Sequence, residues 1–147
     1  MTHHRAHDGT FHCNATAVLA YQPDAAAPFK DVTRQGLFEA GALACPLRYF
    51  EVAAGGHTTL ERHAHVHAVT VVRGHGPCLV GETVHALALR DLIQVPPLTW
   101  HPLRAPAAAP LGFLCMVNSE RVRPQLPSAS DLETLRMQAA IADFIRT

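Results

Sequence analysis

The sequence lacks an excess of charge of either sign, since its 147 residues include 12 lysines and arginines and 12 aspartates and glutamates. It also lacks a basic stripe, which argues against nucleic acid or an anionic membrane surface as the main partner. Its apolar stretches are interrupted well before the roughly 18 residues that a membrane-spanning helix needs. We therefore expect a soluble protein whose partner is a small molecule.

Paired cysteine motifs are missing as well. The four cysteines, Cys13, Cys45, Cys78 and Cys115, are widely spread and form no Cys-x-x-Cys pair. No apolar leader of the signal-peptide type opens the chain. Because disulfides persist in oxidising compartments and are rare in the cytosol, we expect free thiols in a cytoplasmic protein.

The length of the chain predicts one domain, which can bury about two-thirds of its unfolded surface and hold its own core. Residues 1–45 are rich in alanine, proline and glycine without a dominant period. We expect them to form an arm that wraps the domain or exchanges with a second subunit. Residues 46–120 are expected to form the barrel, and residues 121–147 a linker and an amphipathic helix.

Short runs of β-branched and aromatic residues follow one another from residue 47, separated by glycine and proline. The first run ends at Ala-Ala-Gly-Gly, residues 53–56, which predicts a turn. Strands are predicted at residues 47–52, 58–63, 67–73, 78–80, 84–87, 91–95 and 111–118. Several short strands at this spacing predict an all-β sandwich or barrel, in which closure removes exposed sheet edges.

A capping box precedes the last apolar residues of the chain. Ser130 is a good N-cap, and Glu133 follows it three residues later. Apolar residues then recur at helical spacing: Met137, Ile141, Phe144 and Ile145. We predict one C-terminal α-helix over residues 131–146, packed on the barrel or on a partner subunit.

Histidine is over-represented, with 11 residues in the chain. His63, His65 and His67 occupy every second position, so strand periodicity directs their side chains to one face. Packing alone gives no reason for this spacing, and imidazole is the commonest metal ligand. The stretch therefore predicts a metal site built on strands. Three other histidines are expected in the core or on the surface: His57, His75 and His85.

The spacing around these histidines resembles the first of two sequence motifs of the cupin family. That motif runs Gly, five residues, His-x-His, three or four residues, Glu, six residues, Gly. Counting back from Gly74 places His67 at the glutamate position, and Glu61 and His63 at the two histidine positions. A glutamate and a histidine have thus exchanged places.

The second cupin motif, Gly, five residues, Pro-x-Gly, two residues, His, keeps its spacing from Pro96 to His101. Arg90 and Leu98 stand in its glycine positions. The resemblance covers residues 47–118. It implies a double-stranded β-helix, the jelly-roll barrel of the cupins.

The resemblance also implies four metal ligands: Glu61, His63, His67 and His101. Three imidazoles and one carboxylate suit a first-row divalent ion, Mn(II) foremost, with Fe(II), Ni(II) or Zn(II) as alternatives. Four protein ligands leave up to two positions open on an octahedral ion. His65 has the right strand parity and competes with Glu61 for the fourth place, although the chain of cupins bends here and parity need not hold.

Longer phrases are similar to a narrower group of small bacterial cupins. These phrases are Arg-Tyr-Phe-Glu-Val at 48–52, Thr-Leu-Glu-Arg-His at 59–63, Val-Pro-Pro-Leu-Thr-Trp-His at 95–101 and Gly-Phe-Leu-Cys-Met-Val at 112–117. The group removes the methylthio group of methylthioxylulose 5-phosphate with manganese and glutathione, giving deoxyxylulose 5-phosphate. The resemblance therefore implies a metal-dependent enzyme, a sugar-phosphate substrate, glutathione as co-substrate and, as in many cupins, a homodimer.

Within that reaction, Cys115 is the candidate nucleophile. It lies in the last predicted strand, which passes beside the metal in small cupins. If the odd positions of this strand face inward, Phe113, Cys115 and Val117 line the pocket. His65 or a water molecule is the candidate proton donor, and Trp100 is a candidate pocket wall or packing residue.

The sequence leaves the phosphate-binding groups and the reaction class open. Five donors could hold a phosphate, although none lies in a glycine-rich phosphate loop: Lys30, Arg34, Arg48, Tyr49 and Arg104. A small metal-dependent dioxygenase with Fe(II) is one alternative function. A non-catalytic sugar-binding or metal-binding module is the other.

Overall fold

The computed structural model describes residues 11, 16–21, 28–120 and 122–145. Eight strands are present in this part: β1 (Leu19–Ala20), β2 (Lys30–Ala40), β3 (Leu43–His57), β4 (His67–Arg73), β5 (Gly76–Val80), β6 (Thr83–Leu87), β7 (Leu92–Val95) and β8 (Leu111–Val117). Two helices follow, α1 (Ala129–Arg136) and α2 (Ala139–Ile145). Neither of these described helices is long and apolar enough to cross a bilayer.

The strands form a six-stranded sheet in the order β1-β2-β3-β8-β4-β7 and a two-stranded sheet of β5 and β6, with every pair antiparallel. Both sheets contribute to one apolar core, in which Val52 of β3 and Val71 of β4 meet Cys78 of β5 and Leu87 of β6. Single bridges from His57 and Cys78 join the barrel wall to residues 103–104. The prediction of an all-β barrel is confirmed.

The predicted turn at residues 53–56 is wrong, because β3 continues through it to His57. Val32 pairs with Val52, but Lys30 pairs with His57, so β3 bulges between these two partners. Gly55 has a φ of +73°, and a Cβ on Gly56 would lie 2.5 Å from the carbonyl oxygen of Lys30. The two glycines therefore allow a bulge instead of ending the strand.

Residues 58–63 were predicted as a strand and form only isolated bridges, from Glu61 to His101 and from Arg62 to Gln125. The backbone of this segment bonds to a succession of different partners. The backbone N–H of Thr58 donates to the carbonyl of Leu103, whereas the backbones of Glu61 and Arg62 bond to His101 and Gln125. Residues 58–63 therefore form no continuous β-ladder with a single neighbouring strand.

The region without a dominant period, residues 1–45, contains the eleven-residue strand β2. Register shifts interrupt its pairing with β3 between Lys30 and Val32, and again on both sides of Phe38. Each shift breaks the inward-outward alternation that would identify a strand from sequence. Residues 1–10, 12–15 and 22–27 of the predicted arm lie outside the described part.

The prediction of a single C-terminal helix is wrong in its start and its continuity. Ser128, not Ser130, is the N-cap of α1, and it forms a capping box with Asp131 rather than one with Glu133. The chain turns between α1 and α2, where Met137 is 84% exposed.

The turn between the helices has a packing consequence. Leu135 lies six residues before Ile141, so the two side chains would point to different faces of one straight helix. With the turn, Leu135, Ile141 and Phe144 all enter a cluster that also contains Leu79 and Trp100. The expected burial of Ile141 and Phe144 is confirmed.

Candidate metal centre

Three of the predicted ligands come together inside the barrel. Ring nitrogens of His63, His67 and His101 lie within 4.8 Å of one another. His67 is the first residue of β4, and His101 follows β7. The bridge between Glu61 and His101 brings the segments before β4 and after β7 together, so residues far apart in sequence meet at one point.

Hydrogen bonds fix the ring orientation of two of these histidines. Nδ1 of His63 lies 3.2 Å from the carbonyl oxygen of His65, and Nδ1 of His101 lies 2.9 Å from that of Thr99. Because a carbonyl only accepts, each Nδ1 carries the hydrogen and Nε2 keeps its lone pair. Burial lowers the pKa of His101 to about 4, so this imidazole is neutral at physiological pH. Neutral, oriented imidazoles fit a divalent metal ion.

Glu61, the fourth predicted ligand, lies outside this group of three, but it is buried, with 6% of its surface exposed, and lines the same cavity as His67 and His101. Its Oε1 accepts a 3.1 Å hydrogen bond from the hydroxyl of Tyr21. Burial, followed by the charge of Glu61, raises the pKa of Tyr21 well above its ordinary value. Tyr21 therefore remains protonated and fixes one carboxylate oxygen. No pattern in the sequence pointed to Tyr21, which lies in the region without a dominant period.

His65 lies close to the cluster but outside the group of three. Its ring stacks on His63 with centroids 4.0 Å apart, and the centroid of His67 is 5.0 Å away. Its carbonyl is the acceptor for His63. His65 thus orients a neighbouring imidazole.

A cavity of about 50 Å³ opens next to these groups. Glu61, His67 and His101 line it together with Cys115. The apolar part of the wall includes Phe50, Val69, Leu103 and Phe113. The rings of Phe50 and Phe113 stack with centroids 5.3 Å apart. The cavity is therefore largely apolar with a few convergent polar groups, the usual composition of a small-molecule site.

Cys115 is 5% exposed, and its Sγ lies 3.7 Å from Nδ1 of His67. The other described cysteines differ from it. Cys78 is fully buried, and burial raises the pKa of its thiol to about 12, so it stays protonated. Cys45 is half-buried in β3, and Cys13 lies outside the described residues.

The remaining predicted residues lie elsewhere. Trp100 packs with Leu79 and the helices rather than lining the cavity, and the guanidinium of Arg62 lies 4.3 Å from its ring centroid. His57 is half-buried, whereas His75 and His85 are exposed. None of these three histidines belongs to the cluster found among the described residues.

Thr59 is a cavity residue that the sequence did not reveal. It is 1% exposed, and its hydroxyl has no hydrogen-bond partner among the described residues. The neighbouring Thr58 is different, because its hydroxyl accepts a 2.8 Å hydrogen bond from the backbone of Leu103. A buried polar group without a partner costs free energy.

Replacing Thr59 with valine is therefore expected to raise the free energy of unfolding of the metal-free protein by about 1 kcal/mol. The matched change Thr58→Val leaves a buried N–H without its acceptor and should lower that free energy by about 1–3 kcal/mol. Denaturant unfolding of both variants measures the contrast. Equal destabilisation by the two changes would show that the Thr59 hydroxyl is satisfied.

An antiparallel β barrel with a histidine cluster inside it is the arrangement expected of a cupin. The chain belongs to the cupin family: the Cupin domain family matches residues 48–117. It is 52% identical, over 87% of this chain and 82% of the relative, to 1-methylthio-D-xylulose 5-phosphate methylsulfurylase of Rhodospirillum rubrum.

Solved structures agree with this assignment. A cupin 2 conserved barrel domain protein from Rhodopseudomonas palustris matches with a TM-score of 0.93 and 56% identity, over 99% of this chain and all of that one. A cupin-2 domain protein from Rhodospirillum rubrum matches with a TM-score of 0.88 and 48% identity, over 97% and 95% of the two chains. The predicted cupin fold is confirmed.

Proposed function

We propose that this cupin is a metal-dependent enzyme that removes the methylthio group of 1-methylthioxylulose 5-phosphate and yields 1-deoxyxylulose 5-phosphate, with glutathione as co-substrate. The observation that carries the proposal is the position of Cys115, whose sulfur lies 3.7 Å from a ring nitrogen of the histidine cluster. The 52% identical methylsulfurylase supports the choice of substrate.

Four side chains are proposed to hold the metal ion, Mn(II) foremost: Glu61, His63, His67 and His101. Glu61 is preferred to His65 because it is buried, lines the cavity together with His67 and His101, and is joined to His101 by a backbone bridge. A divalent ion bound there would polarise the C2 carbonyl oxygen of the substrate and neutralise the negative charge that develops on it.

Cys115 is proposed as the nucleophile. Its thiolate attacks the sulfur of the methylthio group, so that a new S–S bond forms and the C1–S bond breaks. The electron pair of the broken bond stays on the sugar as an enolate, which takes up a proton at C1 and becomes a methyl ketone. The sugar carbon is reduced, and the two sulfurs are oxidised to a mixed disulfide.

His67 can assist this step. If Nε2 of His67 is the ligand atom, Nδ1 carries the ring hydrogen and points it at the sulfur of Cys115, 3.7 Å away. A hydrogen bond donated to sulfur favours the thiolate, the nucleophilic form of cysteine. We propose His65, acting through water, or water alone as the donor of the proton to C1, because His65 is half-buried beside His63 but does not line the cavity.

Glutathione then restores the enzyme. Its thiolate attacks the methylthio sulfur of the mixed disulfide, which releases methyl glutathionyl disulfide and returns the Cys115 thiolate. Incubation of the manganese-loaded protein with the substrate and glutathione should give one molecule of this disulfide per molecule of deoxyxylulose phosphate, detected by NMR and mass spectrometry. Oxygen consumption without a requirement for thiol would instead identify a dioxygenase.

The fourth ligand can be identified by paired substitutions. Glu61→Gln is expected to weaken manganese binding by more than the roughly 10–100-fold that loss of an outer-sphere partner costs. His65→Gln should stay within that range, because it removes only a stacking ring. Metal titration of both variants measures the difference, and a larger loss in His65→Gln would assign the fourth position to His65.

A further inference from the structure

Two arginines project from the sheet on the side that carries the cavity, although neither is one of its lining residues. Arg34 of β2 is paired with Phe50 of β3, and Arg48 of β3 is paired with Cys115 of β8. Directly opposite residues in an antiparallel pair project to the same face. Because Phe50 and Cys115 both line the cavity, Arg34 and Arg48 project to that same inner side.

The alternation along the strands supports this placement. No register shift occurs between Val32 and Gly36, so Arg34 shares its face with Val32, a core residue that is 4% exposed. Arg48 stands two positions before Phe50, whose ring stacks on Phe113. Both arginines are half-buried.

The charges around the cavity favour an anion. Glu61 is the single carboxylate among the described residues that line it. The hydroxyl of Tyr21 donates to this carboxylate, and its ring packs against Phe50, the residue directly opposite Arg34. Two arginines therefore project to the side of the sheet on which the cavity holds one carboxylate, and that carboxylate is proposed to bind a metal ion.

Arg62 and Arg73 differ from Arg34 in the partners of their side chains. Arg73 forms an ion pair with Glu51 at 2.7 Å. Arg62 lies over Trp100 and donates to the side chain of Gln125. Among the described residues, Arg34 forms no such ion pair with a carboxylate.

We propose that Arg34 and Arg48 form an oxyanion site that binds the phosphate end of the substrate while its other end faces Cys115. The planar guanidinium presents donors in a fork that matches phosphate oxygens, and partial burial strengthens such bonds. The inference deepens the proposed function and rests on it for the identity of the sugar phosphate. The anion site itself can be tested without the reaction.

The test measures binding of inorganic phosphate to the manganese-loaded protein by calorimetry. Arg34→Gln and Arg48→Gln are each expected to weaken phosphate binding by roughly tenfold or more, and Arg48→Lys should recover part of the loss. Arg62→Gln is the matched control and should bind phosphate as the unchanged protein does. Metal content and melting temperature establish that each variant is folded and loaded.

Turnover provides the second readout. KM for the sugar phosphate should rise in the two glutamine variants while kcat stays close to its original value. KM for the same sugar without phosphate should be alike in all variants. The proposed anion site is wrong if the unchanged protein does not bind phosphate, or if the variant with both Arg34→Gln and Arg48→Gln binds it with unchanged affinity. Phosphate binding that depends on both arginines, in a protein without methylthio release, supports the site and refutes the proposed reaction.

Discussion

Replacing Cys115 with serine is expected to abolish thiol-dependent methylthio release, with a loss on the order of 10³-fold or more, while manganese content stays unchanged. A serine hydroxyl at this position cannot form the mixed disulfide that carries the methylthio group. It is also nearly isosteric, so the 5% exposed site beside His67 should keep its packing. Product formation followed by NMR and metal analysis of the same sample measure the two expectations.

Cys45→Ser is the matched control, because Cys45 is a half-buried cysteine that does not line the cavity. It should retain full activity. In the unchanged protein without glutathione, mass spectrometry should find one methylthio group on the peptide that contains Cys115. Full activity in Cys115→Ser would show that glutathione attacks the substrate directly, and the covalent role of Cys115 would be wrong.

The cluster was predictable because most of its information is local. His63 and His67 lie within one short motif, and the spacing from Pro96 positions His101. Counting from Gly74 also indicated Glu61. Alternation could not choose between Glu61 and His65, because both lie an even number of residues before His67, and residues 58–63 make only isolated bridges.

Residues that approach the site through long-range pairing were not predictable. Tyr21 reaches Glu61 across 40 positions of sequence. Arg34 and Arg48 were only two among several possible phosphate donors, and nothing in the sequence indicated which of them face the barrel interior. That information lies in the register of β2 on β3, which three shifts obscure. Thr58 and Thr59 are also alike in sequence, and only the folded chain gives the Thr58 hydroxyl a hydrogen bond that the Thr59 hydroxyl lacks among the described residues.

The C-terminal helices illustrate the same limit. Ser128 and Ser130 are both good N-caps by composition, and Asp131 decides between them by accepting from the backbone of Ser128 at 2.9 Å. The turn near Met137 follows from packing against Leu79 and Trp100. Local sequence preference predicted one helix here, and tertiary contacts divide it into α1 and α2.

Replacing His101 with glutamine is expected to remove most of the bound metal and with it the activity. His101 comes from a different segment than the other three proposed ligands. Its loss leaves Glu61, His63 and His67, all from one stretch, without the ligand from the segment after β7. Metal analysis after purification measures occupancy directly. His75→Gln is the matched control, because His75 is exposed and lies outside the cluster.

Metal removal should also change stability, because an ion that binds the folded state alone stabilises it by mass action. At a free manganese concentration 100 times the dissociation constant, this stabilisation is about 2.7 kcal/mol. Added manganese should therefore raise the melting temperature of the His75→Gln protein and leave that of His101→Gln nearly unchanged. If both proteins respond equally, the ion binds elsewhere. If His101→Gln keeps its metal but loses activity, His101 acts on the substrate rather than as a ligand.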